Sequence, residues 1–533
     1  MNLLSTTPRR ELAWYAAIML LALALRVWDL GARSLWFDEA TEYWVATAPL
    51  TQLAHYVSEG TGDPPLYSFV LHMWMKLGAG EAWLRSLSLI VSMGGVAGMI
   101  VLGKRLGGFT GAITVGALVA INPADIRYAQ EVGQYALMLG TLAWNLVAFH
   151  GLWRDGRKRW VIAWALSAFA ATAAYYGAVF PVFAPFACVL FESLARRDGA
   201  RVRRLAAGAA IYALLTVPVL WPVLPDQLAR VLDTRSALAQ APEPRPEGVK
   251  LVWRWLGNLI AFQFSGWPYT RVPAWVPIAC WFALAPFALV SQRRWIVWFV
   301  ATWIVYGVAS LFEIFPFGFR WGLIMLPQVV AVAGLGFAAA VHSRWLRLPV
   351  AVVYAGLVLV SAMSLPNLTM RNWIDKGRTL NWPETEDLRP VVAYWYEKSF
   401  DTQATYVFYG AAPAFAYYAQ RYEATRSDLP PTWNLHCWHD EAPPDYCRSK
   451  NIFYGSWLRR FPAPADRVMS IFNTLAGKPK ELWIVFSHVH GNESVDIVQR
   501  MQANGYQIAD VTEARAAAAV LLRLPSSESD SSP

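Results

Sequence analysis

Leu12 to Ala40 reads LAWYAAIMLLALALRVWDLGARSLWFDEA. An apolar run from Leu12 to Val27 ends in a short polar turn, and two adjacent carboxylates, Asp38 and Glu39, come next beside Trp36 and Phe37. The run is long enough to cross a bilayer as a helix. Charges at a membrane face beside an aromatic belt are costly unless something uses them. On spacing alone the two acids read either as a solvated loop or as working groups at the outer end of a first span. The residues beyond Ala40 decide between the two.

Of 533 residues, 56% are hydrophobic and 16% charged, with 28 Trp, and the mean hydropathy is +0.31. That balance belongs to a polytopic membrane protein rather than a soluble one. A net charge of +9 could serve nucleic acid. The basic residues, however, fall in short clusters between apolar segments, the pattern of cytoplasmic loops, so no nucleic-acid partner is expected. Arg9 and Arg10 precede the first run and no convincing small-residue cleavage site comes after it, which predicts an uncleaved span. Cys188 and Cys280 lie in apolar segments as bystanders. Cys437 and Cys447 lie close together in the polar C-terminal part and read as a disulfide, with two free thiols as the alternative.

Eleven apolar segments read as spans: Leu12–Leu30, Leu84–Leu102, Gly108–Asn122, Tyr135–Leu152, Trp160–Tyr176, Val179–Leu194, Leu205–Val223, Pro273–Val290, Trp295–Phe312, Gly322–Val341 and Leu348–Leu365. Lys104-Arg105, Arg154 to Arg159, Arg196 to Arg204, Arg293-Arg294 and Arg344 with Arg347 all come after even-numbered spans. With the N-terminus inside, every cluster is cytoplasmic. The outer face then holds a first loop (31–83), Pro123–Arg127, Tyr175-Tyr176, the Pro-rich loop 225–271, Glu313–Arg320 and everything after Pro366. Pro65 to Leu77 is too short to span and reads as an interfacial helix in the first loop. The expected fold is therefore a polytopic α-helical membrane domain over 1–366.

A soluble extracytoplasmic α/β domain is expected over 367–525. Thr405–Tyr409, Leu482–Phe486 and Ala517–Leu522 read as its buried strands, and Val495–Asn504 as a helix. A disordered tail is expected over 526–533. No internal repeat, phosphate-binding loop or dinucleotide fingerprint occurs, which argues against an ATP-driven machine.

The outward-facing residues, in order, are SLWFDEA (Ser34–Ala40), GDPPLYSFVLHMW (Gly62–Trp74), WLRSLSLI (Trp83–Ile90), NPADIRYAQEVGQYAL (Asn122–Leu137), TAAYYGAVF (Thr172–Phe180) and FGFRWGLIMLP (Phe317–Pro327). The series resembles the GT-C glycosyltransferases of the protein O-mannosyltransferase and aminoarabinose transferase kind (glycosyltransferase family 39-like). There the pattern runs approximately DE, PPLYY, ALRLPS, YSQEARMYAL, THYY and RYLLPVLP. The acid pair with Pro-Pro-Leu-Tyr after it is the most specific piece, and the match covers Leu12 to about Gly334.

The resemblance implies inverting transfer of a sugar from a polyprenyl-phosphate carrier to an acceptor outside the cytoplasm; the Ala- and Arg-rich composition suggests a Gram-negative source, hence a bacterial inner membrane with the C-terminal domain in the periplasm. A hydroxyl is a poor nucleophile, so a carboxylate must take its proton as attack proceeds. By resemblance Asp38 is that base and Glu39 orients it or the acceptor. The leaving phosphate needs charge stabilisation more than an acid. Arg320, at the outer end of a span, suits bidentate contact with it, or is a snorkelling interfacial arginine.

Tyr128, Glu131 and Tyr135 are spaced for one helix face and could line the sugar pocket, or could be a polar helix end. Tyr67, Tyr175 and Tyr176 read as substrate contacts or as interfacial aromatics. Asp63 reads as a sugar, acceptor or cation ligand, or as a loop acid. Gly133 stands where the family shows Arg, and Ala174 where it often shows His. Arg127, Arg271 and Arg85 are the candidate substitutes. No nucleotide cofactor is required and a divalent cation is left open. His488 and His490 form an H-x-H that reads as a metal ligand pair or as loop decoration, and His436 and His439 belong to the surroundings of Cys437. A transporter of a lipid-linked substrate and a non-catalytic assembly protein remain the alternatives. Polar residues gathered at one face favour an interfacial enzyme over a transporter, which would carry charges near the midplane.

Overall fold

The computed structural model describes residues 9–60, 62–225, 227, 249–266, 272–312, 314–315, 318, 320–368, 386–400, 403–423, 448–449, 452–455, 479–489 and 492–525. The chain forms two compact units. One comprises Met1–Leu30, Leu50–Ser58 and Gly62–Lys376, the other Gly31–Pro49, Glu59–Thr61 and Gly377–Pro533. The stretch bearing Asp38 and Glu39 thus clusters with the C-terminal residues.

The first unit is helical. Its first part runs through α1 (Arg9–Val27), then, beyond α2 (Phe37–Thr47) of the other unit, α3 (Leu53–Gly60), α4 (Leu66–Met75), α5 (Glu81–Ala120), α6 (Pro123–Ala129), α7 (Tyr135–Arg154), α8 (Lys158–Ala174), α9 (Val179–Ala195) and α10 (Gly199–Leu220). Helical stretches over Val249–Leu256, Gly257–Ala261 and Phe262–Ser265 come next, and helices over Trp275–Ser291, Arg293–Leu311, Leu326–Ala340 and Arg347–Leu368 follow. All eleven apolar segments named above are helical over most of their length. Among the described residues seven helical stretches are long and apolar enough to cross a membrane: Glu81–Ala120, Tyr135–Arg154, Tyr176–Ala195, Gly199–Leu220, Arg293–Leu311, Arg320–Ala340 and Arg347–Leu365. Helix α5 carries two of the eleven segments as two arms. The break is at Gly107-Gly108, where Gly108 takes φ +64°, a value that glycine adopts without the steric cost a side chain brings. The ten-residue helix α4 is apolar but too short to cross.

A buried polar network ties the start of this unit to its middle. Arg26, on the last turn of α1, is 0% exposed. Its Nε donates to Ser92 Oγ at 2.8 Å, Nη1 to the Ala120 carbonyl at 2.9 Å and Nη2 to that of Val119 at 3.1 Å. The same guanidinium forms an ion pair with Asp125. Those carbonyls are the last of α5, which have no partner within their own helix. Asn122 caps α6, its Oδ1 accepting from the Asp125 N–H at 2.9 Å, with Pro123 at the first helical position. The Asn122 amide donates onward to the Gln263 carbonyl at 2.8 Å, and Gln263 to that of Gly322 at 3.0 Å.

The second unit holds a six-stranded sheet. In chain order the strands are β1 (Ala404–Val407), β2 (Arg448–Ser449), β3 (Ile452–Tyr454), β4 (Glu481–Ser487), β5 (Gln507–Ala514) and β6 (Ala517–Arg523), in the spatial order β2-β3-β1-β4-β6-β5. Pairs β3-β1 and β1-β4 are parallel, and β2-β3, β4-β6 and β6-β5 antiparallel. The three runs read from the sequence are β1, β4 and β6, whose continuous apolar character reflects burial on both faces. Strand β5 is a largely exposed edge, so it carries no apolar signal. Helices Leu388–Lys398, Ala412–Glu423 and Glu493–Ala503 flank the sheet. Helix α2 joins this unit through the Leu35 N–H donating to Tyr418 Oη at 2.7 Å, Trp44 Nε1 to the Pro413 carbonyl at 2.9 Å, and the Tyr43 ring against Tyr417 at 4.9 Å.

Removing one partner of a buried ion pair leaves an uncompensated charge, at a cost of about 3–5 kcal/mol. Arg26→Met is therefore expected to lower the unfolding midpoint in detergent sharply, and Arg26→Met with Asp125→Asn to recover much of the loss. Equal losses in the single and double variants would show that the pair is not what holds this junction.

Candidate functional site

In the first unit the loop before α4 presents Asp63 between Gly62, at φ +67°, and Pro64-Pro65. Asp63 Oδ2 accepts from Gln134 Nε2 at 2.7 Å, and its carbonyl accepts from Gln227 Nε2 at 2.9 Å. The Gln227 Oε1 in turn accepts from the Tyr176 hydroxyl. Asp63 and Tyr176 are thus joined through Gln227, a residue the sequence did not single out. Gln134 lies within the stretch Asn122–Leu137 but was not itself singled out, Gln227 belongs to no motif, and only the fold brings them to Asp63.

Tyr128, Tyr135, Tyr175 and Phe315 form a row of rings with centroid separations of 4.8, 5.5 and 6.0 Å. Tyr128 and Tyr135 do meet, but not on one helix face. Helix α6 ends at Ala129 and α7 begins at Tyr135. The Gln130 side chain, just past the end of α6, donates to the Trp28 carbonyl at 2.6 Å and to that of Arg26 at 3.2 Å. Those bonds hold the break against the end of α1. Glu131 lies in it, buried and paired with Arg127 at 3.3 Å.

Tyr67 is buried, its hydroxyl 3.1 Å from Ser88 Oγ. Arg85, also buried, donates to the Leu30 carbonyl at 3.1 Å. Arg127 and Arg85, considered as substitutes at Gly133 and Ala174, thus each have a protein partner. Arg320 opens the 3-10 turn Arg320–Met325, half-buried, with its guanidinium 5.7 Å from the Trp321 ring centroid.

In the second unit the two acids open helix α2. Glu39 is 1% exposed and its Oε2 accepts from the Trp36 N–H at 3.3 Å. A carboxylate there satisfies an orphan donor and faces the positive end of the helix dipole. Asp38 is half-buried. The neighbouring acids therefore differ in setting, Glu39 buried in the cap and Asp38 half-buried beside it. Around them stand Phe37, stacked on the His488 ring at 4.5 Å, and Glu386, 2.5 Å from His488 Nδ1. Burial pushes the Glu386 carboxyl up; His488 and Ser487 oppose that shift, and the charge of Asp38 adds to it.

Cys437, Cys447, His436, His439, His490 and Arg271 lie outside the described residues. Cys188 and Cys280 are free thiols. Among the described residues no group of three His, Cys, Asp or Glu side chains is arranged to hold a metal.

No protein-family model and no curated protein sequence matches this chain. Its fold matches two crystal structures of ArnT from Cupriavidus metallidurans. The apo form superposes with a TM-score of 0.57 at 13% identity, and the form bound to undecaprenyl phosphate with 0.56 at 14%. Each alignment covers 96% of this chain and 98% of the ArnT chain. The expected architecture, a helical part with apolar helices long enough to cross a membrane and a small C-terminal sheet domain, is the observed one, and its fold is like that of ArnT.

Tyr176→Phe leaves the buried Gln227 carbonyl without its donor, a loss of about 1–3 kcal/mol. Adding Gln227→Leu is expected to cost less than the sum of the two single changes, because the members of one polar network couple. Thermal unfolding of the four proteins in detergent checks this, and strict additivity would separate the two side chains.

Proposed function

We propose that this chain is a multi-pass inner-membrane glycosyltransferase, its N-terminus cytoplasmic and its C-terminal unit periplasmic. It moves a sugar from a polyprenyl-phosphate carrier to an extracytoplasmic lipid, glycan or protein. The observation that carries the reading is the end-to-end likeness in fold to ArnT, one structure of which holds undecaprenyl phosphate. The acid pair then supplies the chemistry. An acceptor hydroxyl attacks the anomeric carbon, the bond from that carbon to the phosphate oxygen breaks with inversion, and polyprenyl phosphate leaves. The hydroxyl proton passes to Asp38 as the new bond forms. Glu39, held in the helix cap, keeps the first turn of α2 in place.

On this reading Arg320 meets the charge growing on the leaving phosphate, and Asp63 with Tyr67, Tyr128, Glu131, Tyr135 and Tyr176 lines the path of the sugar. The energy lies in the glycosyl phosphate bond, so no nucleotide is needed. A divalent cation could assist the phosphate.

Mass spectrometry of envelope lipids, glycans and proteins from cells carrying the wild type, Asp38→Asn or no copy tests the proposal. A hexose- or pentose-sized mass is expected with the wild type alone, with turnover in Asp38→Asn lowered by about 10²–10⁴-fold, the range of a lost general base. Arg320→Ala is expected to slow the same transfer. An unchanged product in Asp38→Asn would remove Asp38 as the base. No wild-type product, with all proteins expressed and folded, would favour a transporter.

A further inference from the structure

The second unit contains a buried carboxylate that the reaction above does not use. Glu386, 3% exposed, lies just before the helix Leu388–Lys398. Its Oε1 is 2.5 Å from His488 Nδ1, and its Oε2 accepts from Ser487 Oγ at 3.0 Å. Ser487 ends β4, and His488 comes next at φ +53°, a left-handed conformation uncommon in a residue other than glycine. The turn is crowded: a Cβ on Gly410 would stand 2.6 Å from the Ser487 carbonyl oxygen and 2.9 Å from His488 Cβ. A strained residue persists only where its surroundings over-determine it.

That conformation lays the imidazole face to face on Phe37, with ring centroids 4.5 Å apart and planes 8° from parallel, and tilted against Trp36 at 6.2 Å. Phe37 is the first residue of α2 and the immediate neighbour of Asp38. The buried carboxylate, the imidazole and the ring therefore form a continuous chain that ends at the backbone carrying Asp38. Asp38 in turn repels a proton-free Glu386, and His488 offsets that repulsion. The ionisable groups on the packed elements are Asp38, Glu39, Glu42 and Tyr43 from α2, Glu386 and Asp387 from the segment before Leu388, and Glu481 at the opposite end of β4 from Ser487.

We infer that the Glu386–His488 pair positions the base. The imidazole, aimed by Glu386 and stacked on Phe37, fixes the first turn of α2 and so the direction of the Asp38 carboxylate, and when protonated it offsets the repulsion between Asp38 and Glu386. His488 is a positioning residue, since it acts through Phe37 and Asp38. The inference rests on the reading of Asp38 as general base, and its structural half can be tested without that reading.

The experiment uses the full chain in lipid nanodiscs as wild type, His488→Asn, His488→Phe, and His488→Phe with Glu386→Gln. Asn tolerates a left-handed backbone, and Phe keeps the stacked ring without the charge. Hydrogen exchange of the segment Leu35–Thr41 reads the clamp directly, and is expected to quicken about tenfold or more in His488→Asn. Transfer kinetics are expected to show kcat down by about 10–100-fold with the donor KM unchanged, the signature of a group that serves the reacting geometry rather than binding. In His488→Phe the acidic limb of the kcat profile is expected to move to higher pH, because two carboxylates then repel without an intervening cation. Glu386→Gln in the same chain is expected to bring the limb back.

Unchanged exchange in His488→Asn overturns the clamp. An acidic limb that stays displaced in the double variant overturns the charge balance. If the wild type itself transfers no sugar, the functional reading fails while the exchange result still decides the clamp.

Discussion

The guanidinium of Arg26 is the point on which the helical unit depends. A cation at 0% exposure among apolar helices is tolerable only if every donor has an acceptor and the charge has a partner. The chain meets both conditions at the C-terminal end of α5. The last carbonyls of α5, which no helical N–H can reach, accept from Arg26, and Asp125 neutralises it. Ser92 then donates to the Asp125 carboxylate at 3.1 Å. Through Asn122 and Gln263 the same network runs on to Gly322, in the turn that opens with Arg320. The junction thus fixes where α6 begins, where α7 can start, and how the row of rings beyond Tyr128 is aimed.

In the other unit the organising feature is the beginning of α2. Two acids in succession at a helix start need not be equivalent. One accepts from a backbone donor and is buried in doing so, while its neighbour stays half-buried. Glu39 and Asp38 divide in this way. The rest of the unit supports the division from behind, with Tyr418 holding the Leu35 N–H, Pro413 accepting from Trp44, and His488 covering Phe37. A short acidic motif is held by residues some 370 to 450 positions further along the chain, so its geometry depends on long-range contacts rather than on local propensity.

Much of the fold was legible because the bilayer enforces a simple code. A run of apolar residues long enough to span has to be a helix, since no other open structure satisfies its backbone in hydrocarbon. Each of the eleven runs is helical, and the short run after Pro65 is a helix too short to cross. Strands β1, β4 and β6 were equally readable, as apolar stretches buried on both faces, whereas the exposed β5 and the very short β2 and β3 carry no such pattern. The site was less legible. Tyr128, Glu131 and Tyr135 had helical spacing but lie across a break held by Gln130. Gln134, Gln227 and Glu386 were not singled out, because a hydrogen-bond partner is chosen by position in space and not by spacing in the chain.

The amino-acid sequence by itself determined the class of architecture and the presence of an acid pair after the first apolar run. Both rest on local rules, hydropathy over a window and the chemistry of adjacent side chains. Only the tertiary structure decided which acid is committed to a helix cap, which arginines already have protein partners, and that Gly31–Pro49 compacts with the C-terminal residues. Those outcomes rest on burial and on contacts between residues far apart in sequence. Desolvation is a property of the folded surroundings, and no stretch of chain read alone carries it.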